Sequence, residues 1–136
     1  MQAKEPRAQF HRASADERRL ALIDACAATL ARKGVHGTSV REICATAGVS
    51  PGLLRHYFSG IDELVADTYA AIGAQVQAAL NDAVEAADPT PEARLIAYLT
   101  ASFAPPIADA DLLSTWLAFW SLTRTDAKIA HLHDEI

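Results

Sequence analysis

The amino-acid sequence predicts an all-α fold. Apolar residues recur at three- and four-residue spacing along most of the chain, and helix-start signals stand ahead of the periodic segments. No run alternates with period two for long enough to form a strand. With 136 residues, 51% of them hydrophobic and 21% charged, the chain can bury a core, and it holds no repeat or low-complexity tract.

Ser14-Ala-Asp-Glu17 has the form of a capping box, so a first helix is expected from about Ala15. Leu20, Ile23, Ala27 and Leu30 give it an apolar stripe, which Leu22 and Cys26 widen, and Gly34 stops it. Ser39-Val-Arg-Glu42 is a second capping box, opening a short helix from Val40 to about Ala47 that Gly48 breaks. Ser50-Pro51 pairs an N-cap with proline at the first helical position, where a missing amide costs nothing, and this third helix ends near Phe58. After Gly60 a long helix runs from Ile61 to about Ala87, with Leu64, Val65, Tyr69, Ile72, Val76, Leu80 and Val84 along one side. Asp88-Pro-Thr-Pro91 interrupts the chain, and a helix from Thr90-Pro91 passes Leu95, Leu99 and Phe103 before Pro105-Pro106 ends it. A strongly apolar helix over roughly Asp111 to Thr123 and a last one from Asp126 complete the series.

Composition excludes several classes. The longest nearly charge-free apolar stretch, Leu112 to Leu122, is well short of the roughly 20 residues a membrane span needs. The opening residues Lys4, Glu5, Arg7, His11 and Arg12 do not form a secretory signal, so a cytoplasmic protein is expected. In that reducing compartment Cys26 and Cys44, both at apolar helical positions, are expected as buried thiols rather than a disulfide. Charge is divided: nine Lys/Arg and five Asp/Glu stand before Ile61, three and twelve after it, so the two segments carry +4 and −9. A polyanion would be drawn to the first and repelled by the second.

Within the basic segment, the short helices joined through Ala47-Gly48-Val49-Ser50 have the grammar of a helix-turn-helix. Two short helices crossing steeply need a small residue on the first, here Cys44, and a glycine in the turn, here Gly48. Ile43, Ala47, Val49, Leu54 and Tyr57 fill the angle between them. An ordinary helical hairpin without DNA contact is the alternative.

Residues Ser39 to Leu64, SVREICATAGVSPGLLRHYFSGIDEL, resemble the DNA-binding signature of the tetracycline-repressor (TetR) family of bacterial regulators. The resemblance extends from the first helix through the fourth. His56-Tyr-Phe58 and Trp116-Leu-Ala-Phe-Trp120 are most similar to its subgroup of choline-responsive repressors of glycine betaine synthesis. The resemblance implies that Thr38, Ser39 and Arg41 meet the DNA backbone and that Ser50 offers a cap and nearby amides to a phosphate. It implies further that Pro51, Gly52, Leu53, Arg55 and His56 form the exposed face of a recognition helix, with Leu54 and Phe58 on its buried side and Tyr57 serving both. The family often has tyrosine where Arg55 stands, and arginine adds a group able to bond a guanine edge in two places. Lysine is frequent where Ile61 stands, so one backbone anchor is expected to be replaced by the amides and dipole of the fourth helix. Family members continue into two more long helices that pair as a four-helix bundle across a dimer axis. This chain stops at Ile136, so its second half is expected to be incomplete and its homodimer to lack the usual interface.

Trp116 and Trp120, four apart, share a helix face, with Phe119 on a neighbouring edge. Aromatic faces attract quaternary ammonium groups, so these three are candidate walls for such an effector, with Asp109 and Asp111 as candidate counter-charges; plain core packing is the alternative. No enzyme is indicated. His131-x-His133 with Asp134 cannot aim two rings from one helix at one metal ion, since residues two apart diverge. There is no glycine-rich phosphate loop and no Gly-x-Ser-x-Gly elbow, and Ser50 beside His56 fits a cap and a surface contact. No cofactor is expected. The expectation is therefore a helix-turn-helix DNA-binding domain over residues 1–59 and a truncated helical ligand-binding and dimerisation domain over 60–136. The expected function is sequence-specific binding of double-stranded operator DNA, released by a small molecule. The alternative is a helical protein-interaction module or truncated subunit that binds no DNA by itself.

Overall fold

The computed structural model describes residues 7–135, with side chains from residue 15 onward. Seven helices follow one another: α1 (Arg7–Lys33), α2 (Val40–Ala47), α3 (Pro51–Tyr57), α4 (Ile61–Ala86), α5 (Pro91–Ser102), α6 (Ala110–Leu122) and α7 (Ala127–Asp134). Among the described residues there is no strand, and no helix is long and apolar enough to cross a membrane.

Most boundaries are set by local chemistry. The Ser39 side chain accepts from the Glu42 amide at 3.3 Å, Ser50 from Leu53 at 3.2 Å and Thr90 from Ala93 at 3.2 Å. Asp109 and Asp126 each accept two amides at the starts of α6 and α7. The expected box at Ser39 is half formed, because the Glu42 carboxylate pairs with Lys33 instead of returning to the cap. Glu63 makes the return that Glu42 does not: its carboxylate accepts from both the amide and the hydroxyl of Ser59, which holds its pKa below the ordinary range.

Two expectations for α1 are corrected. The helix already runs from Arg7, so Ser14-Ala-Asp-Glu17 lies within it and is not its start; the Ser14 side chain is outside the described residues. No glycine or proline stands between Pro6 and Ser14, so nothing in the backbone stops the helix from extending. Leu20 is 57% exposed rather than part of the core. Two positions on a helix are about 200° apart, so a core face holding Leu22, Ile23, Cys26, Thr29 and Leu30 turns Leu20 away.

The core is continuous across Gly60. Ile43 and Cys44 of α2 and Leu54 and Phe58 at α3 join Leu22, Cys26 and Leu30 of α1, and the same cluster includes Leu64, Tyr69 and Ile72 of α4, Phe119 of α6 and Ile129 of α7. The length of α1 accounts for this: one end of it packs on α2 while its flank receives α4 and α6. By contrast α5 packs chiefly on α4, leaving Leu95, Ile96, Leu99 and Phe103 exposed.

Candidate nucleic-acid interface and effector cavity

The turn between α2 and α3 is built on Gly48, which caps α2 at φ 69°, the left-handed region that disfavours side chains. The Val49 amide then donates to the Cys44 carbonyl at 3.0 Å, the longer-range bond of a Schellman stop. Ahead of α2, a Cβ on Gly37 would lie 2.6 Å from Lys33 Cβ and 2.7 Å from its carbonyl oxygen, so only glycine lets the chain double back there. On this frame Ile43, Cys44 and Leu54 are buried, and Ala47, Val49 and Tyr57 pack half-buried around them, as the spacing predicts.

The residues expected to face DNA differ in exposure. Ser39, Arg41, Ser50, Pro51, Gly52, Arg55 and His56 are exposed, while Thr38, Leu53 and Tyr57 are half-buried. His56 and Tyr57 meet edge to face with centroids 5.1 Å apart. The cations sort into two groups. Arg32 bonds Thr46 at 3.1 Å and Lys33 pairs with Glu42, so both tie α1 to α2. Arg41 and Arg55 form no ion pair among the described residues. Thr38 donates its hydroxyl to the Gly34 carbonyl at 2.7 Å, so it fastens the turn before α2 and has no proton left for a phosphate.

The second candidate site is a cavity of about 510 Å³ lined by Tyr69 of α4, Leu113, Trp116, Leu117 and Trp120 of α6, and His133 of α7. Trp116 and Trp120 both line it, and Trp116 also packs against the core. Phe119 does not line it, because it is fully buried against Tyr69 with ring centroids 4.7 Å apart. A helix rotates about 100° per residue, so the step from Trp116 to Phe119 carries the ring onto the core-facing side of α6. Asp109 is used as the α6 cap and Asp111 faces a different cavity beside α1, so neither lines this one. His131 and His133 diverge: the first pairs with Glu135 at 3.3 Å and the second bonds Tyr69. No group of three or more potential metal ligands occurs among the described residues. Tyr69 and His133 were not legible as a pair from the chain. Tyr69 has the spacing of a core residue, and the two lie 64 positions apart.

Residues 22–68 match the family model for bacterial regulatory proteins of the tetR family. The chain is 34% identical over 115 residues to the HTH-type transcriptional regulator BetI of Burkholderia ambifaria, covering 85% of this chain and 59% of that protein. The fold is similar to that of a transcriptional regulator from Pseudomonas aeruginosa PAO1, with TM-score 0.80 and 42% identity over 88% of this chain and 58% of the other. A Rhodococcus regulator superposes with TM-score 0.74 at 26% identity, over 86% and 62% of the two chains. The chain thus spans about three fifths of the length of these relatives. Its helix-turn-helix, its helix order and these likenesses agree: residues 22–68 carry the DNA-binding region of the TetR family of bacterial regulators.

Proposed function

We propose that this chain carries the DNA-reading head and part of the effector half of a transcriptional repressor. The head spans residues 1–59 and the effector half 60–136. The observation that carries the proposal is the outer face of α3, where Pro51, Gly52, Arg55 and His56 are exposed above the buried Leu54 and Phe58, and Arg55 has no ionic partner among the described residues. A short helix held from behind with an unpaired arginine in front suits the major groove of double-stranded operator DNA. Arg41 and the Ser50 cap would meet phosphates. Two copies paired as a homodimer would place their heads on half-sites about 34 Å apart. Such a partner would be met in the cytoplasm.

The cavity beside α4 is the effector site of this proposal, and the aromatic faces of Trp116 and Trp120 suit a quaternary ammonium compound. Effector binding would favour one orientation of α4, which carries Tyr69 at the cavity and Asp67, two residues earlier, paired to Arg19 beside the head. The test is an operator shift across a salt series with and without choline. Expected are a steep salt dependence and weaker operator binding with choline; binding equal for operator and random duplex would refute sequence reading. Both tryptophans of the chain line the cavity, so choline should also quench intrinsic fluorescence saturably, and a Trp120→Leu variant should reduce that quenching.

A further inference from the structure

The cavity wall contains few polar side-chain groups, and their hydrogen-bonding capacities are unequal. The indole N–H groups of Trp116 and Trp120 can only donate, and Leu113 and Leu117 offer nothing. The remaining two groups are joined, with the Tyr69 hydroxyl 2.6 Å from Nδ1 of His133. A phenol is a strong donor and a neutral imidazole nitrogen a strong acceptor, so the hydroxyl donates and Nδ1 accepts. Burial, and secondarily the charge of Asp134, push the Tyr69 pKa up, which keeps the proton on oxygen. With Nδ1 accepting, the ring proton resides on Nε2, which makes no hydrogen bond among the described residues. Tyr69 is fully buried, clamped edge to face by Trp116 at 5.3 Å and Phe119 at 4.7 Å, so it is a rigid support for the ring. Among the described residues no carboxylate lines the cavity.

We infer that His133, positioned by Tyr69, is the specificity-determining residue of this cavity, and that it selects ligands carrying an oxygen acceptor next to an apolar or quaternary ammonium body. This rests on the proposal that the cavity takes a quaternary ammonium effector. Without the Nε2–H of His133 the wall keeps only the two indole N–H donors, and an ether oxygen that loses its water on entry is poorer in partners. With His133 in place the ether oxygen gains a donor whose ring is held by Tyr69.

The probes are (2-methoxyethyl)trimethylammonium and butyltrimethylammonium, which share charge and shape and differ by one oxygen against one methylene. Binding to the full chain is read by tryptophan fluorescence in the wild type, in His133→Ala and in Tyr69→Phe. Expected is a roughly 3- to 10-fold preference of the wild type for the ether, the yield of one hydrogen bond. The ratio should fall in His133→Ala and also decline in Tyr69→Phe, whose ring remains but whose positioning hydroxyl is gone. A general structural role would weaken both ligands alike and leave the ratio unmoved. A wild type that prefers the butyl compound, or a ratio unchanged in either variant, overturns the inference alone. Saturation by neither compound overturns the effector proposal and this inference with it.

Discussion

The guanidinium carbon of Arg19 lies 5.0 Å from the centroid of the Phe58 ring, and the same guanidinium is ion-paired with Asp67. Phe58 caps the C-terminus of α3, where its amide donates to the Leu54 carbonyl at 2.9 Å, so one side chain of α1 touches the end of the reading helix and the flank of α4 together. The pair is partly exposed and its contribution to stability is small. Its geometry counts for more, since a planar guanidinium can stack and pair at once. Arg19→Ala and Asp67→Ala should therefore each weaken operator binding, with a non-additivity of about 0.5–1 kcal/mol in a double-mutant cycle read by DNA affinity. Fully additive effects would show that the head angle does not depend on this link.

Arg55→Ala should relax base preference at one operator position by about 1–3 kcal/mol, whereas Arg41→Ala should weaken all sequences alike and lower the salt slope by about one. Binding selection on both variants checks this. An unchanged preferred sequence in Arg55→Ala would remove Arg55 as a base reader.

Phe119→Ala should cost about 3–5 kcal/mol, because the ring is fully buried and packs against Tyr69 in the core shared by the two halves. Trp120→Ala, on a residue 51% exposed, should cost much less. Urea unfolding of both variants compares them, and similar losses would contradict the placement of Phe119 behind the cavity.

Leu113, Leu117 and Trp120 are 52%, 64% and 51% exposed along one stretch of α6. An apolar patch of this kind favours association, so the 136-residue chain should self-associate with rising concentration and Leu117→Lys should reduce the tendency. Sedimentation velocity across a concentration series is the measurement; a monodisperse monomer throughout would show that the patch is inert.

Burial raises the Cys26 thiol to about 11, and burial also raises that of Cys44. At neutral pH both are protonated and covered, so alkylation by iodoacetamide should be slow in the folded chain and fast in denaturant. Mass spectrometry after a timed pulse reads both sites. Rapid labelling of native Cys26 would mean that α1 and α4 separate readily.

Much of the head is written in short-range signals. Ser39, Gly48, Ser50 and Pro51 act on backbone groups within a few residues of themselves, so the second and third helices and their turn are determined wherever that sequence occurs. The same holds for Thr90 and Pro91 at the start of α5. Periodicity also marks an apolar stripe on α1 and α6, but a stripe with leucines or aromatics on several sides does not say which of them faces inward. Only the arrival of α4 and α6 against α1 decided that Leu22 and Cys26 are buried and Leu20 is not, and that Phe119 is core while Trp116 and Trp120 line a cavity. The Tyr69–His133 bond is the extreme case, because its partners are 64 residues apart and meet only when α7 folds back on α4. Hydrogen bonds within a turn depend on local dihedrals. Which face is buried and which distant polar groups meet depend on how whole helices pack, and a single chain read in order does not contain that geometry.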